Sequence, residues 1–106
     1  MATASEVILE MPDHFDPVKA GDLNVAVQFA LSGNGGGDWY VRIADGKCDV
    51  RAGVLESPQA TIKMDAEDYV RMTAGELNAM VGFLSGRIKV TGNLSAVMRM
   101  QSLFGV

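Results

Sequence analysis

The chain is short of the residues that covalent and metal chemistry depend on. In 106 residues there is one cysteine, Cys48, and one histidine, His14. A single cysteine excludes an intramolecular disulfide. A lone histidine between charged residues, with no serine or cysteine motif beside it, is too little for a triad or a zinc ligand set. Cys48 alternates with polar neighbours on the apolar side of its segment, so it reads as an inert, buried thiol. Basic charge is also scarce: nine Lys and Arg against thirteen Asp and Glu leave a net charge of −4 and no basic run. Nucleic acid and anionic membrane surfaces are bound through clustered Lys and Arg, so neither is an expected partner. No charged-then-apolar leader and no long apolar span is present, so stable membrane insertion is not expected and the cytosol is the simplest compartment. Aromatics number seven, no more than the methionines, although 48% of the residues are hydrophobic. Methionine fills irregular gaps in a core or lines surfaces that adapt to varied apolar partners, and composition does not separate the two.

What is present begins with the glycine-crowded stretch GNGGGDWY, residues 33–40. A phosphate-binding loop places its glycines after a strand and at the start of a helix. Here Trp39-Tyr40-Val41-Arg42-Ile43 follows, aromatic, β-branched and alternating, which is a strand. The glycines are therefore a hairpin loop.

Thr3 to Glu6 fits a capping box for a short helix ended by Pro12, with Val7, Ile8 and Met11 as its apolar stripe. Asp16-Pro17 opens a second short turn of helix that stops at Gly21. Residues 23–31 alternate without a fault, placing Leu23, Val25, Val27, Phe29 and Leu31 on one face. Trp39, Val41 and Ile43 share a face in the second strand; Asp45-Gly46 signals a tight hairpin to a third strand carrying Cys48, Val50 and Ala52. Pro58 precedes a fourth strand over residues 60–64. Asp65 then caps a helix that ends near Gly75, and a short apolar helix with Leu77, Met80, Val81, Phe83 and Leu84 closes at Gly86. Residues 87–91 read as a fifth strand, and Asn93 caps a last helix through about Phe104, with Leu94, Val97, Met98, Gln101 and Phe104 on or near one stripe and Met100 and Leu103 alongside.

This order predicts a single α+β domain over residues 1–106, with residues 1–14 as an N-terminal helical extension. Helices cover one face of a five-stranded, mostly antiparallel sheet. The other face, with Asn24, Gln28, Arg42, Asp49 and Arg51, stays wet. The carboxylates Asp65, Glu67 and Asp68 are explained as a helix start rather than as acid-base groups. No cofactor is implied and an enzyme is not expected. The last third is unusual, because its helices are apolar over more than one side and need more than one cover. They are deep in a core, enclose an apolar ligand, or meet a second subunit.

In order and spacing, several fragments match one family. They are Asp16-Pro17, Lys19-Ala20-Gly21, Val27-Gln28-Phe29, Leu31-Ser32-Gly33, Gly36-Gly37-Asp38-Trp39-Tyr40-Val41, Pro58-Gln59-Ala60-Thr61, Ala66-Glu67-Asp68-Tyr69, Met72, Gly75, residues 85–90, Gly92-Asn93 and residues 98–104. From about Phe15 to Phe104 the chain resembles the sterol carrier protein type-two family of lipid-binding domains. The resemblance implies an apolar tunnel between sheet and helices, and non-enzymatic binding and transfer of fatty acids, fatty acyl-coenzyme A or sterols with broad selectivity. Combined with the face assignments, it implies a ligand lining of Trp39, Val41, Met80, Phe83, Leu84, Met98, Gln101 and Phe104. The expected state is a monomer or weak homodimer. The ending Phe104-Gly105-Val106 is not of the Ser-Lys-Leu type of peroxisomal members, so peroxisomal import is not expected; no thiolase or dehydrogenase domain precedes the resemblance in this sequence, and a free-standing, microbial, cytosolic form is the expectation. The competing reading is an accessory domain whose apolar helices form a protein–protein seam without lipid.

Overall fold

The computed structural model describes residues 3–103. Each early helix starts where a side-chain oxygen meets unpaired backbone N–H groups. The Thr3 hydroxyl accepts from the Glu6 N–H at 3.3 Å and caps α1 (Ala4–Leu9), which buries Ala4 and Ile8. A 3₁₀ turn, Met11–His14, follows with Pro12 in its first positions. The Asp16 carboxylate accepts from the N–H groups of Val18 and Lys19 and opens α2 (Pro17–Ala20).

Five strands follow: β1 (Val25–Ser32), β2 (Gly37–Ala44), β3 (Lys47–Ala52), β4 (Ala60–Asp65) and β5 (Lys89–Gly92), in the sheet order β3-β2-β1-β4-β5. Between β1 and β2 the glycines form a turn closed by the Gly36 N–H on the Gly33 carbonyl at 3.1 Å, and a Cβ on Gly36 would run into the Leu31 carbonyl. Between β2 and β3, Asp45 at φ 54° and Gly46 at φ 72° are both left-handed, the backbone of a type I′ hairpin.

Register puts the alternating apolar residues into rows across one face. Val50, Val41, Val27 and Ala60 are successive partners, as are Trp39, Phe29, Ile62 and Val90. α3 (Ala66–Thr73) and α5 (Leu94–Ser102) lie over β1 and β4 on this face, and α1 packs against α3. Val25, Val27, Val41, Ile43, Ile8 and Tyr69 are completely enclosed there. The Phe29 and Tyr69 rings meet edge-to-face, 5.8 Å between centroids. The expected α+β architecture is what forms.

Three features go beyond the expectation or differ from it. The sheet is mostly antiparallel, as expected, and its parallel pair is β1–β4. β3 lies at one edge and β4 pairs with the far side of β1, so the connecting segment, residues 53–59, must cross β2 and β1. It crosses on the face away from the helices, which corrects the placing of Gln28 in water. Gln28 is only 5% exposed. Its amide donates to the carbonyls of Trp39 and Gly53, both at 2.9 Å, and its carbonyl accepts from the Leu55 N–H at 2.8 Å.

The third difference is the rotation of α5. Its buried side is Ala96, Val97, Met100 and Leu103, while Leu94 and Met98 face solvent. A helix apolar most of the way round offers two stripes at the 3.6-residue period, with Val97 common to both. The one that docks carries the small Ala96, which lets the helix sit close to the sheet.

Candidate functional site

The groups capable of covalent chemistry are quiet. The Cys48 thiol is half-buried, and burial, helped by the neighbouring Asp49 carboxylate, pushes its pKa up to about 11. It stays protonated and weakly nucleophilic at neutral pH. Burial likewise raises the pKa of the Tyr69 phenol. His14 is exposed at the end of the 3₁₀ turn. Among the described residues no three His, Cys, Asp or Glu side chains gather closely enough to hold a metal ion. The Asp68 carboxylate sits between two guanidiniums, Arg71 at 3.5 Å and Arg87 at 3.4 Å, and ties the first turn of α3 to the approach of β5.

The physical oddity lies in α4 (Ala79–Leu84). Asn78 caps it, its side-chain oxygen accepting from the N–H groups of Met80 and Val81 at 2.9 and 3.2 Å. Within the helix only Gly82 is buried. The missing side chain lets the helix lean on Ile88: a Cβ there would lie 2.7 Å from the isoleucine Cδ1. Docking through a glycine turns the large side chains outward. Met80 is 59% exposed, Phe83 38% and Leu84 76%, with Val81 similar to Met80. No charged side chain occurs from Leu77 through Gly86. Apolar surface left in water costs about 25 cal/mol per Å², so α4 is a place where an apolar molecule gains by binding.

The residues expected to line a ligand fall into distinct settings. Met80, Phe83 and Leu84 share α4 and are exposed, and Met98 is exposed on α5. Trp39 and Gln101 are half-buried, and Val41 is wholly enclosed in the central row of the sheet. Phe104 lies outside the described residues. Two surface concavities stand out, and none of the seven described residues of this set lines either. One, of about 510 Å³, runs beside Ala30, Asp38, Lys63 and Lys89, whose register places them on the face away from the helices, and reaches Leu31, Met64, Asp65 and Arg87 at the end of the sheet. The other, of about 400 Å³, lies by Lys19, Asp22, Asn24 and Arg99. Sequence reading missed the first groove because nothing local in residues 60–64 or 87–91 shows that Lys63 and Lys89 are cross-strand partners. No helix among the described residues is long and apolar enough to cross a membrane.

Comparison with known proteins gives this arrangement a lineage. Hydroxysteroid dehydrogenase-like protein 2 of Xenopus tropicalis is 28% identical over 79 residues, covering 74% of this chain and 19% of its own length. Human sterol carrier protein 2 is 32% identical over 65 residues, 61% of this chain and 12% of that protein. The chain thus spans about a fifth or less of the length of the curated relatives it matches. Over nearly full length on both sides, its fold superposes on the solution structure of palmitated sterol carrier protein 2-like 2 from Aedes aegypti. There the TM-score is 0.76 at 20% identity, covering 97% of this chain and 92% of that one. The model of the SCP-2 sterol transfer family matches residues 13–105, and with that match the chain belongs to this family.

Proposed function

We propose that the chain is a non-enzymatic lipid-binding and transfer domain that holds fatty acids, fatty acyl-coenzyme A or sterol-like lipids with broad specificity. The observation that carries this reading is α4, a capped helix with no charge whose Met80, Val81, Phe83 and Leu84 face outward. The palmitated state of the Aedes aegypti relative supports an acyl chain as the occupant. In this proposal the acyl tail lies along Met80, Phe83 and Leu84, passes Met98, and reaches the sheet near Trp39 and Val41. Gln101 closes the far end, and Phe104 is a further proposed ligand contact. The tunnel forms around the tail as α4 draws in about its Gly82–Ile88 contact.

The energetics favour loose selectivity. Each buried methylene contributes about 0.8 kcal/mol, so a sixteen-carbon tail gains on the order of 10 kcal/mol before ordering costs are subtracted. One methylene more or less changes affinity only severalfold. Displacement of an apolar fluorescent probe by acids of increasing length tests this reading, with affinity expected to rise smoothly over several carbons. Phe83→Asp is expected to weaken probe binding at least tenfold while the mass in solution stays that of the parent. Undiminished binding by Phe83→Asp, or dissociation of a parent dimer to monomers, refutes the lipid site; the latter outcome favours a protein seam.

A further inference from the structure

The groove on the sheet face opposite the helices carries a charge arrangement that the lipid reading leaves unused. Asp38, Ala30, Lys63 and Lys89 are successive cross-strand partners on β2, β1, β4 and β5. Two lysines therefore stand directly opposite each other on neighbouring strands. Like charges in that position are destabilising, and the chain as a whole is acidic. Neither lysine has a carboxylate within ion-pair distance among the described residues. Lysine at a sheet edge discourages strand addition, which accounts for Lys89 on β5. It does not account for Lys63, which lies on an interior strand.

Arg87 borders the same groove. One of its terminal nitrogens meets Asp68 at 3.4 Å, and a guanidinium has five donors, so others remain for a ligand. Ala30 makes a low floor between the acidic and basic ends. Strands are spaced about 4.8 Å apart, so Asp38 stands roughly 10 Å from Lys63 along the row, far enough for a compact anion at the basic end to avoid it. Asp65, also on the rim, already accepts from the N–H groups of Glu67 and Asp68.

We propose that this groove is a binding site for a phosphate-type dianion, held by the ammonium groups of Lys63 and Lys89 with Arg87 as the third cation. Phosphate relieves the lysine–lysine repulsion and takes three charge-assisted contacts at once. The site is on the other side of the sheet from α5 and does not depend on the lipid proposal. Its chemistry admits two sources, a small phosphorylated molecule or a phosphomonoester lipid headgroup.

The test is titration of the ¹⁵N-labelled chain with inorganic phosphate at fixed ionic strength, with chloride as the reference. A parallel arm measures co-sedimentation with phosphatidylcholine vesicles, with and without phosphatidic acid. Saturable shifts at Lys63 and Lys89 with phosphate support a small-molecule ligand. Vesicle binding that requires phosphatidic acid and both lysines supports a headgroup. Lys63→Gln and Lys89→Gln are each expected to weaken the response at least threefold, and together at least tenfold. Lys47→Gln, on β3 at the far edge of the same face, leaves it unchanged. Should the double variant not fold, Lys89→Gln alone gives the same reading from the edge strand. The proposal is overturned if chloride reproduces the phosphate shifts, if the lysine variants respond like the parent, or if neither arm shows a lysine-dependent signal. No acyl probe enters these measurements, so they stand or fall apart from the lipid site.

Discussion

Replacing Gln28 by leucine keeps most of its volume and removes every polar contact it makes. Three hydrogen bonds disappear: two donated by the amide to the Trp39 and Gly53 carbonyls and one accepted from the Leu55 N–H. A typical intramolecular hydrogen bond is worth about 1 kcal/mol net, and a buried partner left unmade costs about 1–3 kcal/mol. The new leucine returns part of this through apolar burial, leaving a net loss of about 2–3 kcal/mol. Against a total stability of about 5–15 kcal/mol for a domain of this kind, that is a large fraction, equivalent to a fall in Tm of roughly 10 °C. Urea denaturation measures the loss, and amide exchange at Leu55 localises it, because the crossing segment loses its pin to β1. A loss below about 0.5 kcal/mol with unchanged Leu55 exchange would refute the view that Gln28 holds the crossover.

Four further outcomes are expected. Met100→Ala, on the buried side of α5, costs about 2–4 kcal/mol by calorimetry, whereas Met98→Ala costs under about 0.5 kcal/mol; the reverse order would mean the helix is rotated the other way. Asp65→Ala removes the acceptor for the Glu67 and Asp68 N–H groups at the start of α3 and lowers stability by about 1 kcal/mol, measured by urea midpoint. Cys48 reacts slowly with a thiol reagent at pH 7.5 and accelerates only as the pH approaches about 11; fast labelling of the native protein at neutral pH contradicts its burial. Stability also falls on the alkaline side. Cys48 keeps its proton in the folded state and loses it sooner when unfolded, so its contribution is complete below pH 9 and fades between 9 and about 11. The Tyr69 phenol acts in the same direction from about pH 10 upward. Denaturation midpoints measured from pH 8 to 11 check the sign, and Tyr69→Phe makes the upper part of that decline shallower.

The elements were legible wherever the signal is local. Thr3, Asp16, Asp65 and Asn93 each cap the helix they were expected to cap, because a short polar side chain reaches only the next two or three N–H groups. The faultless alternation of β1 and the Asp45-Gly46 turn are local in the same sense. Legibility ends where a partner comes from far along the chain. Period-two alternation put Gln28 on the polar face correctly, but it carries no information about a segment 25 residues later that covers that face. The parallel pairing of β1 with β4 is hidden for the same reason, since alternation fixes faces and not neighbours. On α5, two apolar stripes fit the helical period, and only the closeness of the sheet decides between them. For the candidate lipid site, the sequence identified Met80, Phe83 and Leu84 as apolar excess; that they face outward follows from the way Gly82 seats on Ile88, a contact across a turn that composition does not reveal.

The crossing connection has a consequence for how the chain comes together. The β1–β2–β3 meander closes through short turns and can assemble as soon as residue 52 is available, since nearby segments meet at small entropic expense. The second edge of β1 then has nothing to bind until β4 arrives after the traverse over the back of the sheet. Until that moment an apolar strand with a bare rim is displayed, the kind of template on which neighbouring chains stick. Aggregation during refolding should therefore be governed by the arrival of residues 60–65.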